Sequence, residues 1–224
     1  MLIRVGCELQ FNVQSPVPLL TKLYLHPTQI PKLRRTEILQ TDPPIPVEEF
    51  RDDLGNRVGR MMLPAGQVTL RTDAMVETSG QPDEVNPAAE QHPVEHLPVE
   101  VLPYLMGSRY CEVDRLYEIA WELFGHTPPG WERVQAVCNW VHHQVEFGYE
   151  YTRLTKTAHD VYRERTGVCR DFMHLAVTLC RCLHIPARCA AGYLGDIGVP
   201  PQPEPMDFSG WFEAYLGDRW YTFD

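Results

Sequence analysis

The chain opens with alternating apolar and polar positions. From Ile3 to Val13 every second residue is apolar, and the residues between them are mostly polar. A period of two predicts a β-strand with one buried face. Leu19–Leu25 and Gln67–Met75 predict further strands, Leu54-Gly55-Asn56 predicts a turn, and the prolines at 43, 44 and 46 exclude a helix there. We therefore expect a small antiparallel β domain at residues 1–80.

Beyond residue 103 the hydrophobic period becomes that of helices. The pattern predicts four of them: Val113 to Phe124, Trp131 to Val145, Ala158 to Arg165, and Cys169 to about Leu183. Strands follow at Ala187–Leu194, Trp211–Leu216 and Arg219–Asp224, and Gly217-Asp218 predicts a tight hairpin between the last two. Helices followed by antiparallel strands indicate an α+β domain at residues 104–224.

The segment between these two regions has a different composition. Residues 81–103 contain five prolines and five acids, with no lysine or arginine. This composition is typical of a linker or of an extended arm on a protein surface.

Charge and motifs narrow the classes of function. The net charge of −10 argues against a nucleic-acid or anionic-membrane partner. No apolar run approaches the roughly 20 residues of a membrane span, and the first residues do not have the pattern of a signal peptide. Seven cysteines without disulfide spacing indicate reduced thiols, so we expect a cytoplasmic protein. Nothing in the sequence indicates the oligomeric state.

Cofactor motifs are missing from the sequence. It contains no Walker loop and no Rossmann glycine fingerprint, so we expect no nucleotide cofactor. Several cysteines and histidines follow residue 168, but they lack a C-x-x-C knuckle and fit helix packing better than a metal site. We expect no cofactor and no metal.

One cysteine stands where a nucleophile is expected. A loop containing Gly167 delivers Cys169 to the first turn of the fourth predicted helix. Unpaired backbone N–H groups and the helix dipole stabilise a thiolate there, and the same N–H groups suit an oxyanion. We interpret four other cysteines as buried structural residues: Cys138, Cys180, Cys182 and Cys189.

The predicted hairpin brings a carboxylate near a second position. If Leu216 pairs with Arg219, Trp211 pairs with Asp224, and residue 209 lies diagonal to Asp224 at roughly 7–8 Å. A base at 209, oriented by Asp224 and facing the thiolate, would complete a catalytic triad. Residue 209 is a serine.

Five further motifs stand in order along the second half of the chain: Gly167-Val-Cys-Arg-Asp-Phe172, Ile185-Pro-Ala-Arg188, Gly192-Tyr193, Trp211-Phe-Glu-Ala-Tyr215 and Trp220-Tyr-Thr-Phe-Asp224. In combination they closely resemble bacterial transglutaminase-like proteins, over about residues 110–224. Residues 1–80 resemble, more loosely, the β-rich N-terminal region of such proteins. The resemblance implies a papain-like α+β core with a Cys–His–Asp triad, acyl transfer on peptide or protein amides, Cys169 as the nucleophile and Asp224 as the orienting carboxylate.

The chain departs from this family at the histidine, because Ser209 occupies its position. A neutral hydroxyl is a poor proton acceptor at useful pH. His159, before the third helix, is a candidate substitute, and a histidine beyond residue 224 of a longer natural chain is another. His174 is expected to pack in its helix, and His142 and His143 to lie in solvent opposite the apolar stripe of theirs.

Two hypotheses follow from this departure. In the first, the protein is an enzyme that forms a Cys169 thioester with an amide or peptide substrate and passes the acyl group to water or to an amine. In the second, it is a binding or scaffold protein that kept the fold and lost the catalytic histidine.

Overall fold

The computed structural model describes residues 1–193, 195, 200 and 207–224. Its contacts divide the chain into two compact units, Met1–Pro82 and Asp83–Asp224. The first unit is built of strands, and the second combines helices with strands. The predicted α+β class is confirmed.

The first unit contains six strands. They are β1 (Leu2–Val13), β2 (Val17–Thr21), β3 (Leu33–Asp42), β4 (Glu48–Arg51), β5 (Arg57–Leu63) and β6 (Gly66–Glu77). They form two antiparallel three-stranded sheets, in the orders β1-β6-β3 and β2-β5-β4. Leu39, Met61, Leu63, Val68 and Leu70 make its buried core. Burial of these apolar side chains is the main force that holds the sheets together.

Strand β2 is shorter than the sequence predicts. It ends at Thr21 rather than Leu25, and a 3-10 helix at Pro27–Lys32 follows. Strands β3, β4 and β5 were not anticipated from the hydrophobic pattern. The turn at 54–56 is present, where the Asp52 carboxylate accepts the backbone N–H of Leu54 at 3.0 Å and of Asn56 at 2.8 Å.

The acidic, proline-rich segment packs on the second unit as an arm. The Asn86 side chain donates to the hydroxyl of Tyr221 at 3.0 Å, and the Gln91 side chain donates to the carbonyl of Leu183 at 2.8 Å. Ala89 is buried, and its carbonyl accepts the backbone N–H of Trp131 at 3.0 Å. Of the two alternatives for residues 81–103, an arm on the protein surface agrees with these contacts, but it is not extended throughout, since 3-10 helices lie at Val94–His96 and Val99–Leu105.

The second unit is organised around one central helix. Its helices are α1 (Val113–Phe124), α2 (Trp131–Gln144), α3 (Ala158–Glu164) and α4 (Cys169–Cys182). Its strands are β7 (Glu146–Phe147), β8 (Thr166–Gly167), β9 (Ala187–Tyr193), β10 (Phe208–Leu216) and β11 (Arg219–Phe223). Helix α4 packs against the other three helices and against β9 and β10. Leu175, Val177, Leu179 and Cys180 on α4 are fully buried, as expected for a helix surrounded on all sides.

Strands β9 to β11 form an antiparallel sheet in the order β11-β10-β9. The hairpin register is the predicted one, since Leu216 pairs with Arg219. Gly217 and Asp218 have φ angles of 50° and 68°, so both turn residues adopt the left-handed conformation of a type I′ turn. Leu194, the predicted end of β9, lies outside the described residues.

None of the helices described is both long and apolar enough to cross a membrane.

Candidate active site

The segment just before Cys169, strand β8, contacts both β7 and Lys156. Strand β8 pairs in parallel with β7, so that Phe147 lies opposite Gly167. Lys156, whose exposure is only 1%, donates to the hydroxyl of Thr166 at 3.2 Å and forms an ion pair with Glu164 at 3.1 Å. A buried lysine needs such partners, because an unpaired charge would cost several kcal/mol. These contacts fix where helix α4 begins.

A buried carboxylate closes the first turn of α4. Asp171 is 0% exposed, and it accepts the backbone N–H of Val168 at 3.1 Å and the Arg170 Nε–H at 3.3 Å. A Cβ atom on Gly167 would lie 2.7 Å from the Cβ atom of Asp171. The position of Asp171 therefore requires glycine at 167.

Cys169 is the first residue of α4 and is half-buried. The backbone N–H groups of Asp171 and Phe172 both donate to the carbonyl of Val168, at 2.7 and 3.1 Å. In the described part of the chain, the N–H groups of Cys169 and Arg170 have no acceptor. Unpaired donors at a helix start favour negative charge beside them. The sulfur therefore lies beside groups that stabilise a thiolate and an oxyanion.

Cys169 opens into a small pocket of about 180 Å³. The helix wall of this pocket is formed by residues of α2 and α4: Cys138, Val141, His142, Cys169, Phe172, Met173 and Ala176. The sheet wall is formed by Gly210, Trp211, Phe212 and Asp224. Phe147 of β7, which is 53% exposed, lies at the rim. Most of the lining is apolar, and the titratable side chains among these residues are two thiols, one imidazole and one carboxyl.

The two pocket thiols differ in their surroundings. Cys138 is buried, and its Sγ donates to the backbone carbonyl of Asp224 at 3.4 Å. Burial, together with the Asp224 carboxylate, raises the pKa of Cys138 to about 11. Cys138 therefore remains a thiol near neutral pH. Only the thiolate is a good nucleophile, so Cys169 at its helix start is the better candidate.

The sheet wall brings Asp224 into the pocket with Cys169. Phe212 pairs with Phe223, which leaves Asp224 level with Trp211, as the hairpin register predicted. Partial burial raises the pKa of the Asp224 carboxyl above its usual value. The structure thus brings together the predicted nucleophile and the predicted orienting carboxylate.

Ser209 lies two residues before Trp211 on β10, so the register leaves it diagonal to Asp224, as predicted. It is half-buried, pairs with Gly192 across the sheet, and is not among the described residues that line the pocket. Its neighbour Gly210 lines the pocket instead. A Cβ atom on Gly210 would lie 3.6 Å from the backbone nitrogen of Arg170 and 3.5 Å from the Met173 sulfur. The strand therefore passes close over the first turn of α4.

Two of the histidines considered from the sequence, His159 and His174, are not among the pocket residues described. His159 lies in the first turn of α3, where its backbone N–H donates to Glu112 at 3.3 Å, and it is not among the described lining residues. Its role as a substitute base stays a prediction. His174 stacks on Tyr110 at 5.2 Å, and burial lowers the pKa of its imidazole to about 4. Its contacts are those of the packing residue that was expected.

His142 and His143 are both exposed to solvent, as expected, but His142 does not lie opposite the apolar stripe of α2. His142 is exposed, but it lines the pocket together with Cys138 and Val141. Residues four apart in a helix share a face, so the spacing from Cys138 to His142 was the available signal. The sequence could not show that this edge of the face meets Cys169, because that contact depends on how α2 and α4 pack.

The remaining cysteines mostly follow the prediction. Cys180 and Cys182 are buried, but Cys189 is exposed, so its interpretation as a buried residue was wrong. It lies on β9, an outer strand of the described sheet, and a hydrogen bond with the Cys111 thiol raises its pKa. Across the described residues, no group of three or more histidine, cysteine or acidic side chains has the arrangement of a metal site.

Comparison with known proteins identifies the family. The core model of the transglutaminase-like superfamily matches residues 118–224. The solved structure of a candidate cysteine protease from Cytophaga hutchinsonii is 30% identical, covers 100% of this chain and 78% of that chain, and superposes with a TM-score of 0.85. The chain belongs to the transglutaminase-like superfamily.

A curated relative is a protein of Mycobacterium leprae, the uncharacterized protein ML0607. It is 29% identical over 94 residues, which are 41% of this chain and 33% of the relative. The match thus spans about a third of the curated relative's length.

Proposed function

We propose that this protein is a cysteine-dependent enzyme that transfers the acyl group of an amide or peptide substrate through a thioester on Cys169. The observation that carries the proposal is that Cys169 and Asp224 line one small pocket, where Cys169 begins helix α4. The superfamily membership and the cysteine-protease description of the Cytophaga hutchinsonii neighbour support the same class of chemistry.

The reaction has two halves. The Cys169 thiolate attacks the carbonyl carbon, a C–S bond forms, the C–N bond breaks, and the leaving amine takes up a proton. Water or a second amine then attacks the thioester, and the C–S bond breaks to release the acyl product and the thiol. The N–H groups of Cys169 and Arg170 would stabilise the oxyanion in both halves, because they are already oriented before the reaction begins.

Substitution of the nucleophile tests this proposal. We expect Cys169→Ala to lower amide turnover by at least about a thousandfold, because removal of a covalent nucleophile eliminates the acyl-enzyme route. The assay would measure release of aminomethylcoumarin from a mixed library of fluorogenic peptide amides, and incorporation of a dansylated primary amine into casein.

Cys189→Ala is the matched control, since Cys189 is exposed on β9 and is not among the residues described in the pocket. It should retain wild-type turnover. Equal turnover in Cys169→Ala and the wild type would refute the proposal.

A non-catalytic binding protein is the second candidate, and the serine at position 209 favours it. In that case the wild-type protein would show no turnover in the same assays, and Ser209→His would create it. Turnover by the wild-type protein would exclude this candidate.

A further inference from the structure

The proposed thioester chemistry requires a group that accepts the thiol proton of Cys169. Ser209 occupies the position of the family histidine, and its neutral hydroxyl does not perform this function near pH 7. An imidazole is the side chain best suited to the task, because it exchanges protons in this pH range. The question is which described histidine lies close enough to Cys169.

The last turn of α2 places one histidine at the pocket. Cys138, Val141 and His142 are spaced at i, i+3 and i+4 along the helix, and all three line the pocket with Cys169. A cavity of about 180 Å³ corresponds to roughly six water volumes of about 30 Å³ each. Cys169 and His142 therefore face the same small cavity, and general-base catalysis requires that they meet there directly or through one water.

The other described histidines near these helices have different surroundings. His143 contacts the Asn139 carbonyl through its Nδ1 at 2.6 Å and is not among the pocket residues described. His174 is largely buried against Tyr110, and its Nδ1 has no partner. His142 combines an exposed position, where its protons exchange with water, with a position on the pocket wall.

We propose that His142 is the general base that compensates for the missing histidine at position 209. Its imidazole takes the proton from the Cys169 sulfur, which leaves a thiolate and an imidazolium. The imidazolium then gives that proton to the leaving amine as the C–N bond breaks, so the histidine is regenerated. Asp224, on the opposite wall, supplies the negative charge that stabilises the imidazolium. This inference rests on the proposed function.

The groups that face His142 must be known before its pH behaviour is interpreted. From α2 itself these are Cys138 and His143, whose ring centre is 5.2 Å from that of His142. From α4 the facing group is Cys169, and from the sheet wall it is Asp224. Cys138 stays protonated near neutral pH, so Asp224 and His143 are the groups with which a pH profile must be compared.

The adjacent histidine provides a matched experiment. His142→Asn and His143→Asn change neighbouring exposed residues of one helix. His142→Gln is a second replacement at position 142, and it shows whether an effect is specific to asparagine. The rate of Cys169 alkylation by iodoacetamide is measured at about pH 6.5, where a thiol without a paired base reacts slowly. We expect both His142 variants to react at least about tenfold more slowly than the wild type, and His143→Asn to react at the wild-type rate.

Turnover of the fluorogenic amides provides a second measurement. Turnover in His142→Asn should fall by about a hundredfold or more. Added imidazole should restore turnover in His142→Ala, which a structural role of His142 would not allow. If turnover depends on Cys169 but survives in His142→Asn, this inference fails and the proposed function stands. If turnover does not depend on Cys169, the proposed function fails as well. If the wild type shows no turnover, equal alkylation rates in the wild type and His142→Asn overturn the inference.

Discussion

The helix wall and the sheet wall of the pocket supply different chemistry to one cavity. The helix wall carries both thiols and the imidazole of His142, and the sheet wall carries the Asp224 carboxyl and the small residue Gly210. The resemblance to the family predicts a histidine on the strand, at the position of Ser209. We instead assign the imidazole to the helix wall, where His142 lines the same pocket as Cys169. The two walls thus offer two different positions for a base, and the variants at positions 142 and 209 distinguish them.

Alanine substitutions of Gly167, which precedes the helix wall, and of Gly210, which lies on the sheet wall, should have the largest contrast in effect. Gly167→Ala places a Cβ atom 2.7 Å from the Asp171 Cβ, so the chain entering α4 must shift, at a cost of about 1–3 kcal/mol in the free energy of unfolding. Gly210→Ala makes only ordinary contacts at 3.5–3.6 Å, and we expect a change within about 0.5 kcal/mol. Urea unfolding measures the free energy of unfolding of both variants.

The Gly167→Ala variant should also affect activity. A displaced Cys169 should lower amide turnover in Gly167→Ala by at least about tenfold, because catalysis is sensitive to small errors in position. Equal stability of the two variants would mean that the helix wall does not depend on the tight contact between Gly167 and Asp171.

Carboxylates in the first turns of two helices give a second contrast in stability, for which no change in activity is predicted. Asp171→Asn should destabilise the protein by about 1.5–3 kcal/mol, since the buried carboxylate accepts the Val168 N–H and the Arg170 guanidinium. Asp114, in the first turn of α1, is exposed, so Asp114→Asn is the control. It should lower the free energy of unfolding by only about 0.5 kcal/mol. Chemical denaturation compares them, and a similar loss in both variants would argue against a capping role for Asp171.

The sheet wall should show the smallest effect, as a dependence of stability on pH. Burial raises the folded-state pKa of Asp224 above its unfolded value, so this group favours folding in acid, and that contribution is lost as the pH rises through the folded-state pKa. Asp224→Asn removes the effect. The variant should therefore gain stability relative to the wild type between about pH 4 and pH 7. The gain is small because the carboxyl is partly exposed, and a relative loss over this interval in urea midpoints would contradict the assignment.

Much of the second unit follows from local patterns. Its helices have clear apolar faces with glycine or proline near their ends, and Gly217-Asp218 determines the hairpin register by its length alone. Cys169 and Asp224 were identified as a pair from these elements, and they line one pocket.

One of the missed strands, β4, has a physical explanation. All residues of β4 are exposed, and it is held by ion pairs of Glu48 with Arg60 and of Glu49 with Arg57. A strand stabilised by cross-strand charges has no apolar alternation for the sequence to show. The location of His142 at the pocket was missed for another reason: its contact with the Cys169 site is created by packing of two helices, which no local pattern encodes.

The most direct test of the central claim is to trap the acyl-enzyme. The protein is mixed with p-nitrophenyl acetate near neutral pH, quenched in acid, digested and mapped by mass spectrometry. We expect the acetyl group on Cys169, formed faster than on the exposed Cys189 and slowed in His142→Asn but not in His143→Asn. An unmodified Cys169 beside an acetylated Cys189 would contradict the account, because the sulfur at the helix start would then be less reactive than a thiol whose pKa is raised by its hydrogen bond with Cys111.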